Sequence, residues 1–286
     1  MVTGEKAAVS PLVRVCLAAG LAVAVGACAT NTKQKNLAYV ERPVEQIYND
    51  AVHQLDRHVW QAAATQFDEV ERQHPYSVWA QRSMLMAAYA RYRAHDYDKS
   101  ISSAQEYISL HPGGDGAPYA YYLIAVCQFD QIIDVGREQA RTELALTALN
   151  EVIQRFPDTS YARDATLKTD MVRDQLAGKE MEIGRYYLKR NEDLAAINRF
   201  RKVVETYDTT SHAPEALYRL VEAYLSIGLN GQAQASAAVL GYNYPGSQWY
   251  ADAYKLMTTA GVEAAKPSND INLFKRAWDA ILPKKS

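Results

Sequence analysis

Residues 87–112 read AAYARYRAHDYDKSISSAQEYISLHP, and this stretch decides the fold. Small residues at Ala87 and Ala88 sit in one helical run, Tyr92 follows a turn later, and His95-Asp96-Tyr97 interrupts the pattern. A second run places Ser100, Ala104 and Tyr107 at helical spacing and stops at Pro112. Small residues at 88 and 100 let two antiparallel helices approach closely, while Tyr107 fills the space towards the next element. Proline cannot continue a helix, so Pro112 ends the second one and turns the chain.

The second run recurs along the chain: a small residue, an apolar residue four later, another three after that, and a helix-ending position five beyond. The other occurrences are Ala63, Phe67, Val70, Pro75; Ala145, Leu149, Val152, Pro157; Ala196, Phe200, Val203, Asp208; and Ala233, Ala237, Leu240, Pro245. The stretch at 87–112 resembles the tetratricopeptide repeat almost position for position. Ala87-Ala88 falls at the Leu-Gly site of its helix A, and Ser100 is the small contact of helix B. Repetition at this period means stacked helical hairpins, none of which buries its apolar face alone. The expected fold is all-α: a right-handed superhelix of about five such hairpins plus a capping helix. Such an architecture favours binding over catalysis.

A second signature follows three of the closing prolines: Ser77 and Trp79, Thr159 and Tyr161, Ser247 and Trp249. The hydroxyl residue caps the next helix A, and the aromatic packs back over the junction. The last occurrence predicts a capping helix over about 248–260. Closing positions 37, 45, 51 and 37 residues apart place an insertion around Ile132–Gln139 of repeat three. A long helix over about 164–189 leads into repeat four. Residues 261–270 read as a flexible linker. From Ile271 to Leu282, one helical face collects Leu273, Phe274, Ala277, Trp278 and Ile281, which either folds back on the stack or docks a partner.

The chain has 286 residues, 48% hydrophobic and 22% charged, with a net charge of −2, so nothing suggests a nucleic-acid footprint. Tyrosine stands at 20 against 5 phenylalanines, a ring with a polar tip that suits half-buried packing positions and grooves alike. Lys6 and Arg14 precede an apolar run over Val15–Val25, too short to span a bilayer and suited to a secretory signal. It ends in Val25-Gly26-Ala27-Cys28, which looks like a bacterial lipobox; cleavage by a general signal peptidase, with Cys28 incidental, is the alternative. Lipidated Cys28 would carry a diacylglycerol and an N-acyl chain, enough to hold the protein to a membrane. On that lipoprotein reading Ala29, in place of the Asp that retains lipoproteins in the inner membrane, would direct sorting to the outer membrane. Residues 29–42 form a polar tether, and Pro43 opens the first helix. Cys127, within the apolar YAYYLIAVCQF of residues 119–129, reads as a small buried hydrophobe.

No catalytic constellation rises above background. The histidines are scattered, and His74 and His111 share a position beside a closing proline. Gly113-Gly114-Asp115-Gly116 lacks the Lys-Ser/Thr of a phosphate loop. Asp96-Tyr97-Asp98 lacks the later residues of a calcium loop. Asp68 and Glu71 are expected on a solvent face. The reading calls for no metal, no cofactor and no enzyme.

Lipobox, short tether and five repeats together resemble the BamD family, lipoproteins of the outer-membrane β-barrel assembly machine. The likeness is carried by FDEVERQHPYSVWA (67–80), DVGREQAR (134–141), LAGKEMEIGRYYLKR (176–190) and LAAINRFRKVVETY (194–207), and it covers about residues 43–260. The resemblance implies a non-enzymatic scaffold on the periplasmic face of the outer membrane. Its partners would be the POTRA repeats of BamA, other lipoproteins of the complex, and unfolded β-barrel proteins recognised through their C-terminal signal. The expected organisation is a signal peptide over 1–27 and a lipidated N-terminus and tether over 28–42. Repeats one to three over 43–175 form the substrate-side half. Repeats four and five plus the capping helix over 176–260 face BamA, and a linker and amphipathic tail fill 261–286. Tyr48, Tyr76, Trp79, Tyr89 and Tyr92 are candidates for a peptide groove, or else core residues. Arg199 matches the family position implicated in pairing with an acidic residue of BamA; a solvated arginine is the plain alternative. Tyr186, Tyr187, Lys189 and Arg190 are further candidates for the partner face. Another outer-membrane repeat scaffold, such as a pilotin or a cell-wall-linked adaptor, would share the lipobox and repeats but not the 176–207 match.

Overall fold

The computed structural model describes residues 41–132, 140–263 and 271–281. Cys28, the tether up to residue 40, all but the first residue of the repeat-three insertion, most of the linker and residues 282–286 lie outside the described residues. Five antiparallel hairpins follow one another: α1 Val44–Asp56 with α2 Trp60–Gln73, α3 Val78–Arg93 with α4 Tyr97–Leu110, and α5 Ala117–Phe129 with α6 Ala140–Arg155. Then come α7 Ser160–Lys189 with α8 Asp193–Thr206, and α9 Ala213–Ser226 with α10 Asn230–Asn243. The capping helix α11 spans Gln248–Thr259, and α12 spans Ile271–Ile281. Through α10 each helix packs chiefly on its neighbours in the chain, as a repeat stack requires; α11 packs chiefly on α9 and α12 on α10. No strand occurs among the described residues.

The repeated apolar positions are the core. Ala63, Phe67 and Val70 are fully buried, and so are Ala145, Leu149 and Val152, Ala196, Phe200 and Val203, and Ala233 and Leu240. In the second hairpin Ser100 is buried without strain because its hydroxyl donates to the Ala88 carbonyl at 2.8 Å, tying α4 to α3. A polar atom at the closest helix approach thus finds a backbone partner.

Each described turn from helix A to helix B is built alike. His58, His95, Asn191 and Gly228 adopt positive φ of 60°, 59°, 58° and 74°. The next residue closes a six-to-one hydrogen bond: Val59 to Gln54, Asp96 to Arg91, Glu192 to Tyr187 and Leu229 to Tyr224. This is the Schellman ending, and His and Asn tolerate the left-handed conformation better than most side chains. Gly261 (φ 69°) and the Val262–Met257 bond repeat it after α11, so the capping helix ends as a helix A would.

The second signature is realised at all three sites. Ser77, Thr159 and Ser247 accept the backbone N–H of Ala80, Ala162 and Tyr250 at 3.1–3.2 Å. Capping by Thr159 starts the long helix at residue 160, four residues before the sequence pattern suggested. It runs unbroken past residue 175, so repeats three and four share one rod. The tail folds back: Ala277 and Ile281 are buried and Trp278 packs on the core, while the side chains of Leu273 and Phe274 lie outside the described residues.

Candidate functional site

Two patches hold the residues expected to bind. The first runs along the A helices of the N-terminal repeats. The Ser77 cap sets Trp79 in the first turn of α3, where its ring lies 4.7 Å from Tyr48 of α1. Tyr48 also meets Phe67 edge-on at 5.5 Å. The same device recurs where Tyr161 packs on Tyr122 at 5.1 Å and where Trp249 packs on Tyr218 at 5.4 Å. Tyr48 and Trp79 are therefore joints between successive A helices that keep a solvent-facing edge.

Tyr89 and Tyr92 stand 6.5 Å apart on α3, and Tyr92 reaches Tyr97 at 6.1 Å. Arg93 donates to the Tyr89 hydroxyl at 2.8 Å and lies 4.5 Å over the Trp60 ring. The Tyr92 hydroxyl donates to Asp130 at 2.7 Å and the Tyr122 hydroxyl to Asp164 at 2.6 Å. Burial first, and then the carboxylate acceptor, push both phenols well above their ordinary range, so both stay neutral donors. Tyr76 stands apart, wholly exposed in the turn before α3, with no ring partner among the described residues. The structure thus gathers four of the five aromatics into two pairs and leaves one outside. Half-buried rings with polar tips suit apolar side chains of an extended peptide.

The second patch lies on α7 and α8. At the end of α7, exposed Tyr186 meets partly buried Tyr187 at 5.6 Å, T-shaped. Arg190 covers the Tyr186 ring at 5.4 Å and pairs with Glu192 at 2.8 Å, and Lys189 is exposed. Arg199 is not a freely solvated arginine. Its Nη1 donates to Glu180 Oε2 at 3.1 Å, and Lys202 Nζ donates to Glu180 Oε1 at 2.6 Å. The Glu180 side chain is only 3% exposed, whereas Arg199 and Lys202 are 40% and 47% exposed. Two cations on one face are thus held from beneath by a single buried carboxylate.

Sequence reading missed Glu180 and Lys202. One signal was present: Leu176, Ala177, Met181 and Gly184 form the buried stripe of α7, and Glu180 occupies a core register within it. A charge at such a position needs a partner, and here it has two. Asp68 keeps the solvent face expected of it, its side chain 45% exposed, but it is not without a role. It pairs with Arg91 at 2.5 Å, and Arg91 donates as well to Ser103, linking α2, α3 and α4.

Cys127 is fully buried, and burial pushes its thiol up to about 11, so it is inert as a nucleophile in the folded state. Among the described residues no group of three His, Cys, Asp or Glu is placed to hold a metal. No described helix is long and apolar enough to cross a membrane.

Comparison with known proteins gives a consistent set of relatives. Residues 40–240 match the YfiO family model, described as an outer membrane lipoprotein. The outer membrane protein assembly factor BamD of Caulobacter vibrioides is 54% identical over 264 residues, 92% of this chain and 87% of that one. The protein of the same name from Rickettsia prowazekii is 41% identical over 237 residues, 83% of this chain and 93% of that one. From Neisseria meningitidis serogroup A, another is 30% identical over 254 residues, 85% and 95% of the two chains.

Proposed function

Since this chain belongs to the BamD family of outer membrane protein assembly factors, we propose that it is a non-enzymatic scaffold of β-barrel assembly, bound to BamA and receiving unfolded barrel proteins. The observation that carries the reading is the 54% identity with an assembly factor over 92% of this chain, across all the repeats. In this reading Cys28 carries the diacylglycerol and N-acyl chain that moor the protein to the periplasmic face of the outer membrane. The aromatic joints of α1 and α3 and the Tyr89–Tyr92 pair receive the C-terminal signal of a substrate. The α7–α8 surface with Tyr186, Arg190 and Arg199 meets the POTRA repeats of BamA, and the other lipoproteins of the complex are further partners.

Rigid helical joints suit this work. A stack whose A helices are fixed to one another by ring pairs presents a preformed surface, so little ordering cost falls on the binding step. A pulldown from outer membranes solubilised in mild detergent is expected to recover BamA. Recovery of secretion or cell-wall components without BamA would turn the reading to a pilotin or adaptor. Arg199→Glu is expected to weaken BamA recovery with the fold intact by circular dichroism; unchanged recovery would remove Arg199 from the interface.

A further inference from the structure

We propose that the groove between α4 and α6, floored by α5, is a docking site for an amphipathic helix of a partner protein. That helix presents an aromatic and an aliphatic side chain three residues apart. The repeat register identifies the groove. Counted from the closing positions, Ile108, Tyr121 and Ile124 correspond to Val204, Leu217 and Leu220 two repeats later. On α6, Leu144 and Glu151 correspond to Gln232 and Val239 of α10. In the later repeats this groove already holds a helix, the chain's own α12. Cavities of about 470 and 460 Å³ border α12, and both are walled by α8, α9 and α10. Trp278 lines one, and Ile281 lines the other. Val204, Leu217 and Leu220 are at most 2% exposed there.

Two repeats earlier the same positions stand open. Ile108, Tyr121 and Ile124 are only partly buried, and with Ala148 and Glu151 they line a cavity of about 420 Å³. Leu144, one turn before Ala148, is 55% exposed. Among the described residues no helix lies over them. The other two junctions break the apolar pattern. Glu71 takes the Ile108 position between repeats one and two, and Thr166 and Thr169 take the Tyr121 and Ile124 positions between three and four. An apolar floor is thus built twice, and α12 shows what shape it accepts. A helix laid in a groove is read through such anchors at three- and four-residue spacing. The rim differs in one place. Glu151 replaces Val239 and stays 42% exposed while paired with Arg155 at 2.8 Å. A visiting helix therefore gains from a lysine or arginine beside its apolar stripe, as α12 has at Lys275 and Arg276.

The probe is a synthetic peptide of residues 271–286 with a photoreactive ring in place of the Trp278 indole, offered to the full-length protein in mild detergent. Adducts are expected within residues 101–124 and 144–155, because the other groove is filled by the chain's own α12. Ile108→Asp and Leu144→Glu should each weaken capture by about tenfold, since each sets a charge against the apolar stripe of the peptide. Leu144 is exposed, so its variant decides the matter even if Ile108→Asp misfolds. Glu151→Lys should weaken capture several-fold at low salt. Adducts confined to residues 194–244 would show exchange with the chain's own α12 and overturn the second groove. Capture by folded Leu144→Glu equal to wild type would overturn it as well. A dimer in sedimentation that Leu144→Glu dissolves would give the groove to a second copy of this chain and overturn the assignment to another protein.

Discussion

The two ends of the stack use one repeat grammar but build different cores. From α6 onward, with Ala125 of α5, a single cluster runs through Met181, Phe200, Leu217, Leu220, Leu240 and Met257 to Ile281. The first two repeats and α5 bury two separate clusters. One is Phe67 among alanines, and the other gathers Met84, Tyr107, Leu123 and Cys127. Alanines bury little apolar area each, so the N-terminal hairpins lean on ring pairs and on the Asp68–Arg91–Ser103 link. A terminal hairpin also has a neighbour on one side only. The difference implies a cooperative C-terminal body joined to a more independent N-terminal arm.

Phe67 and Phe200 hold the same repeat position, and both are fully buried. Truncation of either to alanine is expected to cost about 3–5 kcal/mol. Phe200→Ala should lower the whole C-terminal transition in urea, whereas Phe67→Ala should release the first hairpin and leave hydrogen exchange at residues 196–257 protected. Equal loss of protection at both ends would break the contrast. A smaller effect is expected at Gly184, where an added Cβ would stand 2.4 Å from the Phe200 ring. Neither the ring nor helix α7 can yield freely, so Gly184→Ala should cost about 1–3 kcal/mol by urea unfolding.

The three hydroxyl caps offer a matched series across the molecule. Ser77→Ala, Thr159→Ala and Ser247→Ala should each cost about 1 kcal/mol. Exchange measurements should confine the first loss to the N-terminal arm and spread the second across both halves, because α7 is common to repeats three and four. The smallest expected effect is electrostatic. Burial alone would raise the carboxyl of Asp164, but hydrogen bonds from Lys168 and Tyr122 outweigh it and hold the group below its ordinary value. A carboxyl depressed by folding stabilises above its unfolded pKa, and that contribution is lost as pH falls through the folded one. The stability difference between wild type and Asp164→Asn should therefore shrink from about pH 6 to about pH 3. A difference that stays constant over that range would remove the carboxylate from the α5–α7 joint.

Much of this was legible because repeat physics is local. Phe67, Ser100, Leu149, Phe200 and Leu240 announce themselves by spacing within a single helix. Ser77, Thr159 and Ser247 act on N–H groups three residues away. The rest depends on contacts between helices that no short spacing marks. Glu180 meets Arg199 nineteen positions on, Tyr92 meets Asp130 after thirty-eight, and Gly184 matters only because a ring from the next helix lies on it. The aromatic candidates show the same boundary. Each ring could be named, but whether Trp79 faced Tyr48 or solvent depended on the angle between α1 and α3.

Cys127 lies on α5 at the seam with α4, inside the arm's own second cluster, its Sγ donating to Ser100 Oγ at 3.3 Å. A maleimide or disulfide reagent meets this sulfur only while the seam is parted. The rate of its capture, followed in the intact protein, would act as a stopwatch for how often the arm opens, and for whether a bound partner makes it hold its breath.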